Sequence, residues 1–296
     1  MKGRNITNLV GGYAFLVPYL LLFGVFLIYP LFYGLKLSFT RYELASPEMV
    51  SHRAPEFTGM ANYSEAMHDP YFWKAMKATS IFVLFSVPIV IVTALAFAVG
   101  IEAIPGRRQS VYQLAVFLPT MITISVAGIL WRWFFNSEFG LFNVAAEKVH
   151  IGKIPWLLTP HWAMTSIILM TLWWTVGAPT VILLAGLKQI PNSYYEAAAI
   201  DGAIGWRRFW LITLPLLRPV LLFVTVITVI GAFQIFGQPF MITRGGPEFS
   251  TRVMVEYIYE TSFNFYRLGY GAAMSWLLFL VIAVFSIIQF QVMREK

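Results

Sequence analysis

Residues 188–219 read KQIPNSYYEAAAIDGAIGWRRFWLITLPLLRP and separate two long apolar blocks of the chain. Pro191 predicts the end of the helix before it, because proline cannot continue a helix hydrogen-bond ladder. Ser193 with Glu196 three residues later fits a capping box, which begins a short helix outside the membrane. Gly202 is expected to end that helix in a left-handed conformation. The stretch therefore predicts a short helix in a loop between two membrane spans.

The face of that short helix is small and apolar. It runs over residues 197–200, between the carboxylates of Glu196 and Asp201. Such a face outside the membrane is usually buried against something. Two readings remain open: docking on a partner protein with a basic rim, or a hairpin that folds back onto its own span. A second amphipathic piece, residues 206–211, leads through two prolines into the next apolar block.

Composition places the rest of the chain in a bilayer. Of 296 residues, 58% are hydrophobic and 12% are charged, and the mean hydropathy is +0.70. Soluble domains carry about 25% charged residues. The apolar residues lie in blocks of about twenty, the length that crosses about 30 Å of hydrocarbon. The chain has no cysteine and four scattered histidines, which excludes thiol chemistry and predicts no metal site.

We predict an all-α integral membrane protein with about six transmembrane helices in one domain, residues 1–296. The first apolar block is longer than the apolar core of a cleavable signal peptide, so we expect a retained span. The predicted spans are residues 12–34, 80–100, 111–135, 163–187, 219–241 and 269–293, with the loop of interest at 188–218.

The distribution of basic residues predicts the orientation. Lys and Arg are nearly twice as dense in segments 1–11, 101–110, 188–218 and 294–296 as in the other three loops. Those loops are residues 35–79, 136–162 and 242–268. Cytoplasmic segments carry the excess of Lys and Arg. Both termini and the 188–218 loop are therefore expected in the cytoplasm of a multi-pass protein. The net charge of +7 follows from this topology and does not predict nucleic-acid binding.

The loop resembles the EAA loop of permease subunits in binding-protein-dependent ABC importers. That motif is a Glu-Ala-Ala, a glycine several residues later and an Ile-x-Leu-Pro ending. The matching residues are Glu196-Ala197-Ala198, Asp201-Gly202-Ala203 and Ile212-Thr213-Leu214-Pro215. Further similarity, including Thr243-Arg244-Gly245-Gly246-Pro247, points to the carbohydrate-uptake branch and its first permease subunit, as in maltose and glycerol-3-phosphate systems.

The resemblance implies the type I importer permease fold and a function without covalent chemistry. A sugar would pass from an external solute-binding protein to the cytoplasm by alternating access, in a bacterial or archaeal cytoplasmic (inner) membrane. The implied partners are a second homologous permease, two ATP-binding cassette subunits and membrane lipid. ATP and Mg would be bound by those ATPase subunits, with no cofactor in this chain. Coupling to the ATPase would fall to Glu196, Ala197, Ala198, Asp201 and Gly202.

Two other classes of protein lack their expected residues. A phosphate loop is absent, since the one Gly-Lys pair, Gly152-Lys153, is followed by Ile154. An ion-coupled secondary transporter, the alternative function, would need intramembrane carboxylates, and the predicted spans hold none. A membrane enzyme should show clustered carboxylates, histidines or a metal motif near the interface, and the sequence has none.

Polar residues inside the spans predict the solute path, because such groups usually face the bundle interior. Sugars suit a lining of hydroxyls, amides and aromatic rings. Membrane threonines also often bond their own helix instead. Trp131 and Trp133 are expected at the membrane interface, and Glu256 in solvent outside it. The predicted path residues are Gln234, Gly231, Thr175, Thr171, Trp174, Thr120 and Thr123. Nothing in the sequence identifies the sugar.

Overall fold

A computed structural model describes residues 15–43 and 56–294, and these are mainly helical. The helices are α1 (Val17–Phe23), α2 (Tyr29–Ser38), α3 (Ala61–His68), α4 (Pro70–Glu102), α5 (Arg107–Phe117), α6 (Ile124–Phe134), α7 (Leu141–Lys148), α8 (Pro160–Thr175), α9 (Gly177–Lys188), α10 (Asn192–Ile200), α11 (Gly205–Arg208), α12 (Leu214–Phe233), α13 (Gly237–Ile242), α14 (Met254–Tyr259) and α15 (Leu268–Arg294). Two short strands, β1 (Thr40–Arg41) and β2 (Glu56–Phe57), pair antiparallel.

Up to six spans fit the described helices. Four continuous helices are long and apolar enough to cross a bilayer: Val17–Ser38, Pro70–Glu102, Gly205–Phe233 and Leu268–Val292. Two bent pairs, α5 with α6 and α8 with α9, complete six if each pair is one span. The number expected from the apolar blocks is confirmed. Residues 12–14 of the predicted first span lie outside the described residues.

The predicted span over 111–135 is sharply bent. The chain bends by 94° between residues Met121 and Ile124. Pro119 lies in a 3₁₀ turn over Leu118–Met121, and the backbone then becomes extended at Ile122 and Thr123. The indole N–H of Trp174 donates to the Ile122 carbonyl over 2.9 Å. A bend inside a membrane protein is tolerated when a neighbouring helix satisfies the freed carbonyl in this way.

The predicted span over 163–187 is also bent, by 47° between α8 and α9. Gly177 begins α9 against the backbone of α5. A Cβ atom at this position would lie 2.7 Å from the Val116 carbonyl oxygen. Pro179, in the first turn of α9, cannot donate a backbone hydrogen bond. Close contact with another helix and a missing donor therefore coincide at the bend.

The fifth span differs most from its predicted bounds of 219–241. Its helix begins at Gly205 and ends at Phe233, so the amphipathic piece predicted at 206–211 is continuous with the span. A π-helical turn, Phe209–Thr213, joins α11 to α12, and the Leu214 N–H donates to the Phe209 carbonyl. Such turns fit a chain that approaches proline, because Pro215 has no N–H of its own to donate. Residues beyond Phe233 form the separate helix α13.

Contacts divide the chain into two compact units. One comprises residues up to Asp69 together with Ile258–Leu277, and the other comprises Pro70–Tyr257 together with the residues from Leu278 onward. The assignment of residues 1–296 to a single domain stays a prediction.

The smaller unit is held together by charged and polar contacts. Arg267 donates to the Glu65 carboxylate over 2.7 Å and to Glu43 over 3.4 Å. The Tyr270 hydroxyl donates to Asp69 over 2.7 Å. Burial lowers the pKa of Arg267, but the hydrogen bonds and charges of Glu65 and Glu43 outweigh it and raise that pKa above its usual value. The guanidinium therefore stays charged at any physiological pH.

The larger unit has an apolar core built from α4, α8, α9 and α12. Leu183, Leu217 and Val224 are among its buried residues. Trp131 is buried beside Phe135 and Trp173, with its ring centroid 5.5 Å from that of Trp173, and its place at the membrane interface stays a prediction. Trp133 is exposed.

Charged residues are buried in the loop region of the same unit. Glu256, expected in solvent, is 1% exposed, and Arg252 is 6% exposed. The Arg252 guanidinium lies over the rings of Tyr71, Phe249 and Tyr257. The segment after α13 is thus a packed layer, and the expectation of a solvated Glu256 is wrong.

Candidate functional site

An open cavity of about 560 Å³ lies in the larger unit, bordered by α4, α8, α12 and α13. Ser86 and Trp174, which line it, are the central residues of Pro70–Glu102 and of the pair Pro160–Lys188. The cavity therefore reaches the middle of two spans. None of its lining residues is charged. Small-molecule sites usually measure about 300–1,000 Å³ and combine apolar walls with a few polar groups.

Two hydroxyl groups on the cavity wall are left without partners. The Oγ of Ser86 and the Oγ1 of Thr171 are buried and have no hydrogen-bond partner among the described residues. The amide side chains of Gln234 and Gln238 also line the cavity and form no hydrogen bond within this part of the chain. Buried polar groups are almost always hydrogen-bonded. Four polar side chains thus remain available to a polar ligand or to water.

Five of the predicted path residues meet in this cavity. They are Gln234, Gly231, Thr175, Thr171 and Trp174. Gln234 terminates α12, one residue beyond the helix, and its N–H donates to the Gly231 carbonyl. Nothing lies within 4 Å of the position that a Cβ atom would take at Gly231, so this glycine faces open space.

In two of these five residues, the side-chain hydrogen-bond donor is already bonded to a backbone carbonyl. The Thr175 hydroxyl donates to the Thr171 carbonyl over 2.7 Å, the self-bonding of membrane threonines. The Trp174 N–H is held by Ile122, which leaves the indole ring to form part of the wall. Thr120 and Thr123 do not line this cavity. The Thr120 hydroxyl donates to the Phe117 carbonyl, and Thr123 is an exposed residue at the start of α6.

Sequence reasoning missed Ser86 and Gln238. Ser86 stands alone in an otherwise apolar stretch of α4, and Gln238 follows the end of the fifth span. The signal in the sequence was the polar side chain of Ser86 itself, two residues before Pro88. Gln238 was harder to predict, because it lies on the cavity wall only if α12 ends at Phe233.

The loop between α9 and α12 forms the short helix that its sequence predicts. Helix α10 ends in a Schellman motif: the Ala203 N–H donates to the Ala198 carbonyl over 2.8 Å, and the Gly202 N–H donates to Ala199 over 3.1 Å. Gly202 has a φ of +75°, the left-handed conformation expected of it. The capping box is wrong, because Pro191 occupies the N-cap position and no side chain caps the helix. The start of α10 is therefore fixed by proline rather than by Ser193.

The small apolar face of α10 is divided. Ala198 and Ala203 are buried, whereas Ile200 is 88% exposed and Ile204 is 71% exposed. The Arg208 guanidinium lies 5.1 Å from the Tyr195 ring, which ties α11 to α10. One part of the apolar surface formed by α10 and the turn after it thus packs inside the loop, and the other part is exposed. Glu196 and Asp201 are both exposed.

A chain of polar contacts connects the base of this loop to two other spans. Lys188, at the end of α9, donates to the Gln109 amide oxygen over 2.8 Å. Gln109 donates in turn to the Glu102 carboxylate and to the Ile101 carbonyl, each over 3.2 Å. The ends of α4, α5 and α9 are therefore joined where the loop begins.

A family model for the binding-protein-dependent transport system inner membrane component matches residues 66–294. This match includes the cavity, the loop and most of the spans. The chain belongs to that family. It is therefore an inner-membrane component of a transport system that depends on a binding protein.

Curated relatives cover nearly the whole chain. The lactose transport system permease protein LacF of Rhizobium radiobacter is 34% identical over 97% of this chain and 95% of its own length. The sulfoquinovosyl glycerol permease SmoG of Agrobacterium fabrum is 33% identical, over 95% and 89%. The trehalose/maltose permease MalF of Thermococcus litoralis is 33% identical, over 96% and 94%.

The fold agrees with a solved transporter. A chain of a bacterial ABC transporter that imports the acidic polysaccharide alginate superposes with a TM-score of 0.80 at 23% identity, covering 98% of this chain and 97% of that one. At this identity the likeness shows the fold alone, which is that of an ABC importer permease.

Proposed function

We propose that this family member passes a neutral sugar through the cavity, and that helix α10 couples this passage to ATP hydrolysis by partner subunits. The observation that carries the proposal is the chemistry of the cavity wall. Free hydroxyls at Ser86 and Thr171 and free amides at Gln234 and Gln238 match the hydroxyls of a sugar. The indole of Trp174 offers a face for its C–H groups.

The absence of charge in that wall favours an uncharged solute. A carboxylate or sulfonate in an apolar, buried site would need a cationic partner. The lining residues supply none. The lactose and trehalose/maltose relatives carry names of neutral sugars, whereas the SmoG and alginate systems carry names of acidic ones. The relatives named for neutral sugars are therefore the better comparison for this chain.

The remaining parts of the assembly follow from the family and the loop. The system would comprise a second homologous permease, two ATP-binding cassette subunits and an external solute-binding protein, with both termini of this chain in the cytoplasm. Exposed Ile200 and Ile204, with the carboxylates of Glu196 and Asp201, would form the surface that meets an ATPase subunit. ATP-driven closure of the ATPase pair would then open the bundle toward the binding protein, and hydrolysis would reset it.

Filling the cavity at Gly231 tests the proposed path. Gly231→Phe projects a ring into open space and should abolish sugar uptake by the reconstituted complex. Gly231→Ala is the matched control, because one methyl group meets nothing within 4 Å and alanine is favoured over glycine in a helix by about 0.5–1 kcal/mol. Uptake is measured in proteoliposomes that hold the complete complex and its loaded binding protein.

The comparison of charged and neutral solutes tests the substrate class. Uptake should be seen with neutral sugars and not with uronate or sulfonate analogues of the same size. Full uptake by Gly231→Phe would show that the solute does not pass through this cavity. Transport restricted to acidic sugars would overturn the neutral assignment while leaving the family unchanged.

A further inference from the structure

A second cavity lies on the side of the larger unit, outside the proposed sugar path. This groove of about 590 Å³ runs between α4 and α8 and is bordered at one end by residues 248–250. It shares no lining residue with the central cavity. Phe85 is 53% exposed on the groove, Ile89 is 40% exposed and Leu169 is 38% exposed. Its apolar wall is therefore accessible from outside the larger unit.

The polar groups of the groove are gathered at one end. Lys74 and Lys77 lie in the first turns of α4, and His161 lies in the first turn of α8. Neither lysine forms an ion pair with a described residue. Glu248 supplies one carboxylate, so the two ammonium groups leave this end positive. The N-terminal ends of α4 and α8 add partial positive charge in the same place.

The remaining length of the groove is apolar and has the depth of one leaflet. Ile81, Phe85 and Ile89 follow one another at helical spacing on α4, opposite Ile168 and Leu169 of α8. At 1.5 Å per residue, Ile89 lies ~18 Å below Lys77. Half of the hydrocarbon core measures about 15 Å. A cationic end above an apolar channel of this depth matches a headgroup above its acyl chains.

We propose that this groove binds a phospholipid with an anionic headgroup. Its phosphate would lie at Lys74 and Lys77, with a hydrogen bond from His161, and an acyl chain would lie along Phe85 and Ile89. Basic pockets between membrane helices on the cytoplasmic side bind anionic headgroups, and the same charge attraction applies at Lys74 and Lys77. The orientation given under Proposed function places this lipid in the outer leaflet. The site itself depends only on the groove, and its test needs no transport.

Photolabelling of the complete complex in lipid nanodiscs tests this proposal. Two diazirine probes with identical acyl chains are compared, one a phosphatidylglycerol and the other a phosphatidylcholine. Phosphatidylglycerol should label peptides of α4 and α8 at least about fivefold more than phosphatidylcholine. The double variant Lys74→Gln/Lys77→Gln should reduce its labelling to the phosphatidylcholine level.

Three variants control for charge, place and folding. Lys74→Arg/Lys77→Arg keeps both charges and should keep the labelling. Lys148→Gln removes an exposed lysine on α7, away from the groove, and should change nothing. Leu169→Trp narrows the apolar channel without touching either lysine, and it should also reduce labelling, so the proposal stays testable if the double variant does not assemble.

Several outcomes would overturn the lipid site. These are equal labelling by the two lipids, unchanged labelling of the double glutamine variant, and a high yield of cross-links to the second permease from a benzophenone maleimide attached at Phe85→Cys. The last result would mean that protein, rather than lipid, covers the groove. Loss of the lipid site would leave uptake through the central cavity untouched, because the two readouts are independent.

Discussion

At the scale of single residues, two threonines on α8 illustrate how the central cavity differs from ordinary packing. The Thr175 hydroxyl is satisfied by the carbonyl one turn before it, whereas the Thr171 hydroxyl is buried and unpartnered within the described chain. Leaving a buried hydroxyl unsatisfied costs about 1–3 kcal/mol. A fold retains such a group most readily where a ligand or water completes it. Ser86 is in the same position on α4.

Thr171→Val should therefore separate stability from transport. The variant removes an unsatisfied hydroxyl and should leave the melting temperature of the complex unchanged or slightly higher. The KM for sugar uptake should rise several-fold, since the solute loses a hydrogen bond that is worth about 0.5–1.5 kcal/mol. Thr180→Val is the control, because its hydroxyl is buried, bonded to Val176 and absent from the cavity wall. An unchanged KM in Thr171→Val would exclude this hydroxyl from the path.

At the scale of elements, α10 depends on its C-terminal end. No side chain caps its first turn, so the two Schellman hydrogen bonds and the left-handed Gly202 define where the helix stops. The residue at which α10 ends determines the direction that the chain takes through Ile204 into α11. Lys188 and Gln109 join the base of the same loop to α5. The loop that carries α10 is thus joined at its base to the ends of α4 and α5.

Gly202→Val should uncouple the importer without preventing its assembly. A β-branched residue in the left-handed region is strained by about 1–2 kcal/mol, so the end of α10 would rearrange. ATPase activity of the purified complex should lose its stimulation by the loaded binding protein. Gly152→Val is the matched control, since Gly152 also has a positive φ, of +80°, and open surroundings, but lies in another loop. Equal stimulation in both variants would remove α10 from energy coupling.

At the scale of the whole molecule, four to six spans and an inner-membrane family place the chain in a membrane, and the basic residues predict its orientation. Arg107, Arg108, Lys188, Arg207 and Arg208 all lie in segments expected on the cytoplasmic side. The termini themselves lie outside the described residues. Orientation is thus a prediction from charge, which reporter fusions can test directly.

A phosphatase reporter inserted near Lys153 should be active, because that enzyme functions only outside the cytoplasm. The same reporter fused after Lys296 should be inactive, and a cytoplasmic fluorescent reporter fused there should be bright. The physical reason is the unequal density of Lys and Arg, which are retained on the inner side. The reverse pattern would invert the orientation and move the proposed lipid to the other leaflet.

Much of the architecture is encoded locally, and for that reason the sequence predicts it. Apolar blocks long enough to cross the bilayer predict the number of spans, and a glycine after a short helix predicts the left-handed end at Gly202. The EAA residues predict the family that the comparisons show. The same local reasoning brings five of seven expected path residues to one cavity, because their polar groups interrupt apolar spans.

Only the tertiary structure decides the bends, the free hydroxyls and the groove. The break after Met121 is completed by a donor fifty-two residues away, on Trp174, and the bend before Gly177 depends on close contact with α5. The contacts made by neighbouring elements likewise decide whether Thr171 or Thr175 keeps a free hydroxyl. They also decide whether Trp131 and Glu256 are buried. Local sequence determines which segments enter the membrane, because hydropathy is a property of each segment. It does not determine which partner meets each polar group, because that partner belongs to another helix.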